Sequence, residues 1–223
     1  MNLQKNKDLI FQQVAAAAQG ADRSADSVSV IAVTKYVDSD VTKQLINTGV
    51  SHIGENRVDK FLAKYELLKS TGVTWHLIGS LQRRKVKDVI NYVDYFHALD
   101  SVKLASEIQK RAEKTIKCFL QVNISGEESK HGFRVDDVEE ALQQIAQFDK
   151  IELVGLMTMA PQAASDAEIN TIFEQANKLK IALQNKKIKN MPFTELSMGM
   201  SGDFKLAVRN GSTFVRIGTA FFE

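Results

Sequence analysis

The chain has little that would direct its fold from outside the core. It holds one cysteine, Cys118, so no disulfide can form within it. At 223 residues it is long enough to bury a core without covalent staples. Cys118 sits in the apolar run Ile116-Lys117-Cys118-Phe119-Leu120 and reads as a packed core thiol rather than a nucleophile. There are only two prolines, Pro161 and Pro192, which suggests compact loops. No apolar stretch reaches the roughly 20 residues that cross a bilayer. Residues 1–8 lack a signal-peptide layout, so a soluble cytoplasmic protein without membrane contact is the expectation. The 29 basic and 27 acidic residues nearly cancel, which argues against a nucleic-acid partner. Two small basic patches, at residues 83–87 and 186–189, read as solvated helix faces. There is no Walker loop, no G-x-G-x-x-G, no G-x-S-x-G and no zinc-ligand spacing; His52, His97 and His131 do not supply one.

What the chain does have is rhythm. Short apolar runs at residues 28–34, 50–54, 75–79, 95–99, 116–123, 151–157, 193–196 and 213–217 read as strands. Helical patterns separate them, at 3–19, 39–48, 56–69 and 83–91 in the first half. The next helix is capped by Asp100 or Ser101. Residues 125–134 form a polar loop, and a further helix is marked by Val138, Leu142, Ile145 and Phe148. Ser165 and Glu168 make a capping box for a long helix, and Gly202-Asp203 open a short one. Strict βα alternation implies a parallel sheet covered by helices. Eight units point to a single closed (β/α)8 barrel domain over residues 1–223, with an open doubly wound sheet as the alternative. No helix follows the last strand, but one precedes the first. In a closed ring those places are neighbours, so helix 3–19 would cover the gap.

In such a barrel the chemistry gathers at the C-terminal ends of the strands, and phosphate is often held after the seventh and eighth. The first strand ends in Lys35. Either Lys35 marks where the strand meets water, or it is a partly desolvated amine kept as a nucleophile. After the seventh strand, Ser197-Met198-Gly199-Met200-Ser201-Gly202-Asp203 could cradle an anion at a helix N-terminus. It could equally be an ordinary cap in which Ser201 or Asp203 satisfies its own turn. Alternation along the last strand turns Arg216 into the barrel, where a carboxylate or a ligand must answer it. Gly218 and Thr219 lie just beyond and could add donors. His76 shares its strand face with Ile78 and Ser80 and reads as a core histidine or a site residue. A Schiff-base lysine, a phosphate site and a group facing a ring nitrogen are what pyridoxal 5′-phosphate (PLP) needs.

Several runs carry a resemblance. They are Ala32-Val33-Thr34-Lys35, Gly54-Glu55-Asn56, Trp75-His76-Leu77-Ile78-Gly79-Ser80-Leu81-Gln82, Lys130-His131-Gly132-Phe133, Gly155-Leu156-Met157-Thr158-Met159, Ser197-Met198-Gly199-Met200-Ser201-Gly202-Asp203 and Arg216-Ile217-Gly218-Thr219. In this order, across nearly the whole chain, they closely resemble the pyridoxal phosphate homeostasis protein family, itself similar to the barrel domain of alanine racemase (fold type III of the PLP proteins). The resemblance implies PLP bound as a Schiff base to Lys35, with phosphate held by Ser201, Gly218 and Thr219. It implies Arg216 facing the pyridine nitrogen, and Asn56 and His76 lining the pocket. The chain departs from the family at Val37 and Asp38, at Arg57-Val58-Asp59-Lys60 and at Glu223. These positions bear on secondary contacts rather than on the core site.

The implied function is intracellular PLP homeostasis and amino-acid balance, by a monomer whose partners are PLP and PLP-dependent apoenzymes. Alanine racemase adds a β-domain that supplies a second base; this chain, ending just after its last strand, is expected to lack it, and so to lean away from catalysis. The alternatives are a low-efficiency amino-acid racemase and, from another class, a Schiff-base aldolase or phosphosugar-binding barrel.

Overall fold

Most residues of the ring strands are buried whichever way they alternate, so the sheet is stable only when covered on both sides. A computed structural model describes residues 1–127 and 131–223; Lys130 of the Lys130-His131-Gly132-Phe133 run lies outside the described residues. The strands are β1 (Ser29–Val33), β2 (His52–Glu55), β3 (Thr74–Leu77), β4 (Tyr95–Leu99), β5 (Ile116–Asn123), β6 (Phe133–Arg134), β7 (Ile151–Met157), β8 (Glu195–Ser197) and β9 (Phe214–Ile217). All pair in parallel. β1 joins β2 on one side and β9 on the other, and β4 joins β5, so the sheet closes on itself. The two-residue β6 lies outside the ring, beside the end of β5. The fold is therefore a closed (β/α)8 barrel, and the open-sheet alternative falls on the β1–β9 and β4–β5 pairings.

The helices are α1 (Leu3–Gln19), α2 (Ser39–Asn47), α3 (Val58–Leu68), α4 (Val86–Val89), α5 (Val102–Arg111), α6 (Val138–Ile145), α7 (Asp166–Asn185) and α8 (Phe204–Arg209). No helix among the described residues is long and apolar enough to cross a membrane. α1 buries Leu3, Ile10, Val14, Ala17 and Ala18, packing against α2, α8 and the turn at Thr219–Phe221. The Asn6 amide donates to the carbonyls of Phe221 (3.0 Å) and Glu223 (2.8 Å), tying the opening helix to the end of the chain. α1 thus fills the place of a helix after β9. Ser101, not Asp100, caps α5, and the Ser165–Glu168 capping box opens α7. Cys118 is buried, and burial pushes its thiol up, which keeps it inert.

Some boundaries differ from the expectation. The run at 193–196 becomes Glu195–Ser197, because Phe193 takes a left-handed backbone (φ 46°) while its ring stays buried. The helix at 83–91 breaks into a four-residue α4 flanked by tight 3-10 turns. The loop at 125–134 contains β6, which Gly132 (φ 117°) brings back against Gln121 and Asn123.

Gly155 of β7 faces Glu195 of β8, and a Cβ added there would lie 1.8 Å from the Glu195 carbonyl oxygen. Backbone cannot retreat as a side chain can. Gly155→Ala is therefore expected to cost at least about 1–3 kcal/mol of stability, read as a lowered urea midpoint; an unchanged midpoint would contradict this close approach.

Candidate functional site

The C-terminal ends of all eight ring strands surround one cavity of about 510 Å³. Strand periodicity explains which side chains reach it. On β1, Ile31 and Val33 share the inward face, and Lys35 continues it past the strand end. Lys35 is half-buried and lines the cavity beside Tyr36, its Nζ 4.8 Å from the tyrosine ring centroid. Among the described residues it makes no hydrogen bond or ion pair. Asn56 follows β2 and also lines the cavity. It can sit close to the β3 loop because Gly79 has no side chain: a Cβ there would stand 2.1 Å from the Asn56 carbonyl oxygen.

The loop between β8 and α8 is folded by its own backbone. Gly199 adopts φ 94°, and a Cβ there would meet that of Ala207 at 2.5 Å. The Asp203 carboxylate accepts the Met200 N–H at 2.6 Å, and the Phe204 N–H bonds the Met200 carbonyl. Asp203 is thus engaged in the turn and does not line the cavity, which leaves Ser201 free to do so. Gly218 N–H reaches the Ser201 hydroxyl at 3.4 Å. The N–H groups of Gly202 and Thr219 make no hydrogen bond among the described residues. Ser201, Gly218 and Thr219 therefore meet at the cavity wall as a cluster of small donors.

Arg216 lies on the inward face of β9 and is 5% exposed. Its Nη1 donates to Ser197 Oγ at 2.6 Å and its Nη2 to the Thr158 carbonyl at 3.3 Å. No carboxylate of the described residues stands within ion-pair distance. Burial pulls the guanidinium down to about 10, against the opposing effect of the Asp203 charge. It remains a cation at neutral pH, with donors left over for the cavity it lines.

His76 is the exception among the expected site residues. It points inward, as alternation requires, but is fully buried and absent from the cavity wall. The wall begins two residues later, at Ile78. His76 instead bonds the rings of His52 and His97, each at 2.9 Å. Burial, with the neighbouring His52, holds it well below the usual histidine range, so it is neutral.

Other contributors went unread in the sequence. Gln121, His131, Met157, Met159 and Met200 complete the wall. Behind β1 lies a buried ion pair between Lys64 of α3 and Glu55 of β2. Lys64 Nζ also donates to the Thr34 carbonyl at 2.6 Å, and Thr34 Oγ1 donates to Glu55 at 2.6 Å. These bonds clamp the backbone one residue before Lys35. The signal was present: Lys64 falls between Phe61 and Leu68 on the buried stripe of α3. An amine without an ion-pair partner, a cluster of small donors and a buried cation, set among apolar walls, suit a flat aldehyde that carries an anionic group.

The chain resembles known proteins over nearly its whole length. The family described as "Alanine racemase, N-terminal domain" matches residues 11–223. A pyridoxal phosphate homeostasis protein of Aquifex aeolicus is 35% identical over 225 residues, covering 100% of this chain and 98% of that one. The structure of PipY from Synechococcus elongatus with PLP bound superposes with a TM-score of 0.83 at 33% identity, covering 94% of this chain and 100% of that one. Alanine racemase of Corynebacterium glutamicum shares the fold at a TM-score of 0.70 and 15% identity, covering 96% of this chain and 61% of that one.

The clamp behind Lys35 can be tested alone. Lys64→Met leaves Glu55 buried without its partner and is expected to cost about 3–5 kcal/mol. Urea unfolding measures it; a loss below about 1 kcal/mol would mean that the pair is hydrated.

Proposed function

Because the chain belongs to the pyridoxal phosphate homeostasis protein family, we propose that it binds PLP covalently but reversibly on Lys35 and takes part in intracellular PLP homeostasis. The observation that carries this reading is the cavity that joins Lys35, the Ser201–Gly218–Thr219 cluster and Arg216. The donor set fits the cofactor: an amine for an aldehyde, small N–H and hydroxyl groups for a phosphate, a guanidinium for a pyridine nitrogen. When bound, PLP would supply an aldehyde that is reactive toward a primary amine.

The roles of the residues follow from their chemistry. Lys35 Nζ is the attacking amine, free of any ion pair that would hold it back. Ser201, Gly218 and Thr219 hold the phosphate through hydroxyl and backbone N–H groups. Asn56 and the apolar walls hold the ring. Arg216 would donate to a ring nitrogen placed there and, being unable to accept a proton, would keep it unprotonated. A ring held so is a weak electron sink, which suits storage more than turnover. Tyr36 at the mouth is 75% exposed, so water reaches the site, and electrostatic catalysis is weakened. The same open mouth favours release to recipients, which we take to be PLP-dependent apoenzymes in the cytoplasm.

The purified protein is expected to be yellow, and borohydride followed by peptide mapping should place the reduced adduct on Lys35. Lys35→Ala should be colourless; a Lys35→Ala protein that still fixes the cofactor would overturn the assignment. Removing one phosphate contact by Ser201→Ala should weaken PLP binding by about ten- to a hundredfold, the equivalent of about 1.5–3 kcal/mol, measured by equilibrium titration. Exchange of the α-hydrogen of alanine in deuterated buffer is expected to stay at the rate of free PLP; rapid exchange that needs Lys35 would favour a racemase.

A further inference from the structure

Beneath the cavity a string of side chains crosses the inside of the barrel. His52 Nδ1 meets His76 Nε2 at 2.9 Å, and His76 Nδ1 meets His97 Nε2 at 2.9 Å. His97 Nδ1 meets Ser197 Oγ at 2.8 Å, and Ser197 Oγ receives Arg216 Nη1 at 2.6 Å. The rings cannot easily turn. His97 stacks on Phe119 at 4.3 Å and His76 on Tyr95 at 4.9 Å, with Phe214 against both histidines. His76 and His97 are fully buried, whereas His52 is half-buried and lines a separate hollow with Phe11, Val14 and Ser51. The string therefore runs from that hollow, at the start of β2, to the guanidinium at the cavity.

Its direction is fixed at one end. A guanidinium only donates, so Ser197 Oγ accepts from Arg216. The partner left for the serine proton is His97 Nδ1. If His97 Nδ1 carried a proton instead, two donors would converge on Ser197, and its hydroxyl proton would be buried with no acceptor among the described residues. Burial holds His76 and His97 well below the usual histidine range, so each is neutral and carries one ring proton. The choice at Ser197 therefore propagates. His97 carries its proton on Nε2 and donates to His76, and His76 does the same to His52. Every link turns its acceptor end toward Arg216, and aligned links polarise one another.

We propose that Ser197, His97 and His76 are positioning residues for Arg216: a chain of Nε2–H tautomers, locked by the arginine, that holds the guanidinium in place and turns aligned dipoles toward it where a carboxylate would otherwise stand. The consequence for the ring nitrogen of a bound cofactor rests on the PLP reading above; the tautomer chain does not.

Two measurements on the full-length chain separate these. With 15N-labelled histidine and no PLP, long-range 1H–15N correlations at neutral pH should show Nε2–H for His52, His76 and His97. Nδ1–H at His97, or mixed tautomers, would overturn the proposal. Ser197→Ala should leave His97 and His76 as mixed tautomers, with Ser197→Thr restoring the single form. In the PLP-loaded protein, Ser197→Ala should raise the pH midpoint of the chromophore's colour change by about one unit, since a guanidinium that strays no longer disfavours a proton nearby. Ser197→Thr should reverse that shift, and a Ser197→Ala spectrum and midpoint identical to the parent would overturn the positioning role. If Ser197→Ala does not fold, the tautomers of the parent protein decide alone. If the parent chain binds no PLP yet shows the three Nε2–H forms, the functional reading fails and the tautomer chain stands.

Discussion

The seam between β1 and β9 is the constraint on which the site depends. Ile31 pairs with Arg216 and Ala32 with Ile217, which sets the first and last strands side by side. Closure makes the first and last strands neighbours, so Lys35, beyond the end of β1, stands at the same cavity as Gly218 and Thr219 beyond the end of β9. In an open sheet the two strands could lie at opposite edges. The amine and the donor cluster would then be separate surface features. α1 protects the seam from outside, by its packing against α8 and by the Asn6 contacts with the last residues.

Two cations are buried near this seam, and the fold treats them differently. Lys64 is matched by a carboxylate and a carbonyl, so its charge is answered within the scaffold. Arg216 is answered by a hydroxyl and a carbonyl, both neutral. Burying an incompletely answered charge is costly. The lysine lies behind the strand and fixes its backbone. The arginine lies at the cavity, and its unused donors face the space a ligand would fill. The ion pair and the string of histidines thus lie on opposite faces of β2.

Much of this was legible. Alternation of runs gave the barrel, and the opening helix was readable at both ends, since Leu3–Gln19 keeps its apolar spacing throughout. Lys35, Asn56, Ser201, Arg216, Gly218 and Thr219 all line the cavity, because strand ends and the loops beyond them are where such a barrel opens. His76 shows the limit. Alternation tells inside from outside, but depth depends on strand stagger, which no single strand records. The left-handed Phe193 had no sign in its residue type, since a bulky aromatic rarely takes that backbone. The histidine string did leave a trace. His52, His76 and His97 lie 24 and 21 residues apart, close to one βα unit each, so they recur on successive strands rather than along one.

The β1–β9 seam also bears on how the protein is made. Ser29 must find Phe214, a partner translated much later. Synthesis runs from the N-terminus, so a ribosome releases the lysine strand well before the strand that completes the ring. Such long-range pairing is slow to form. Until it forms, a nascent chain holds Lys35 but not the Gly218 and Thr219 wall of the cavity. The complete cavity therefore forms only after β9 has been synthesised.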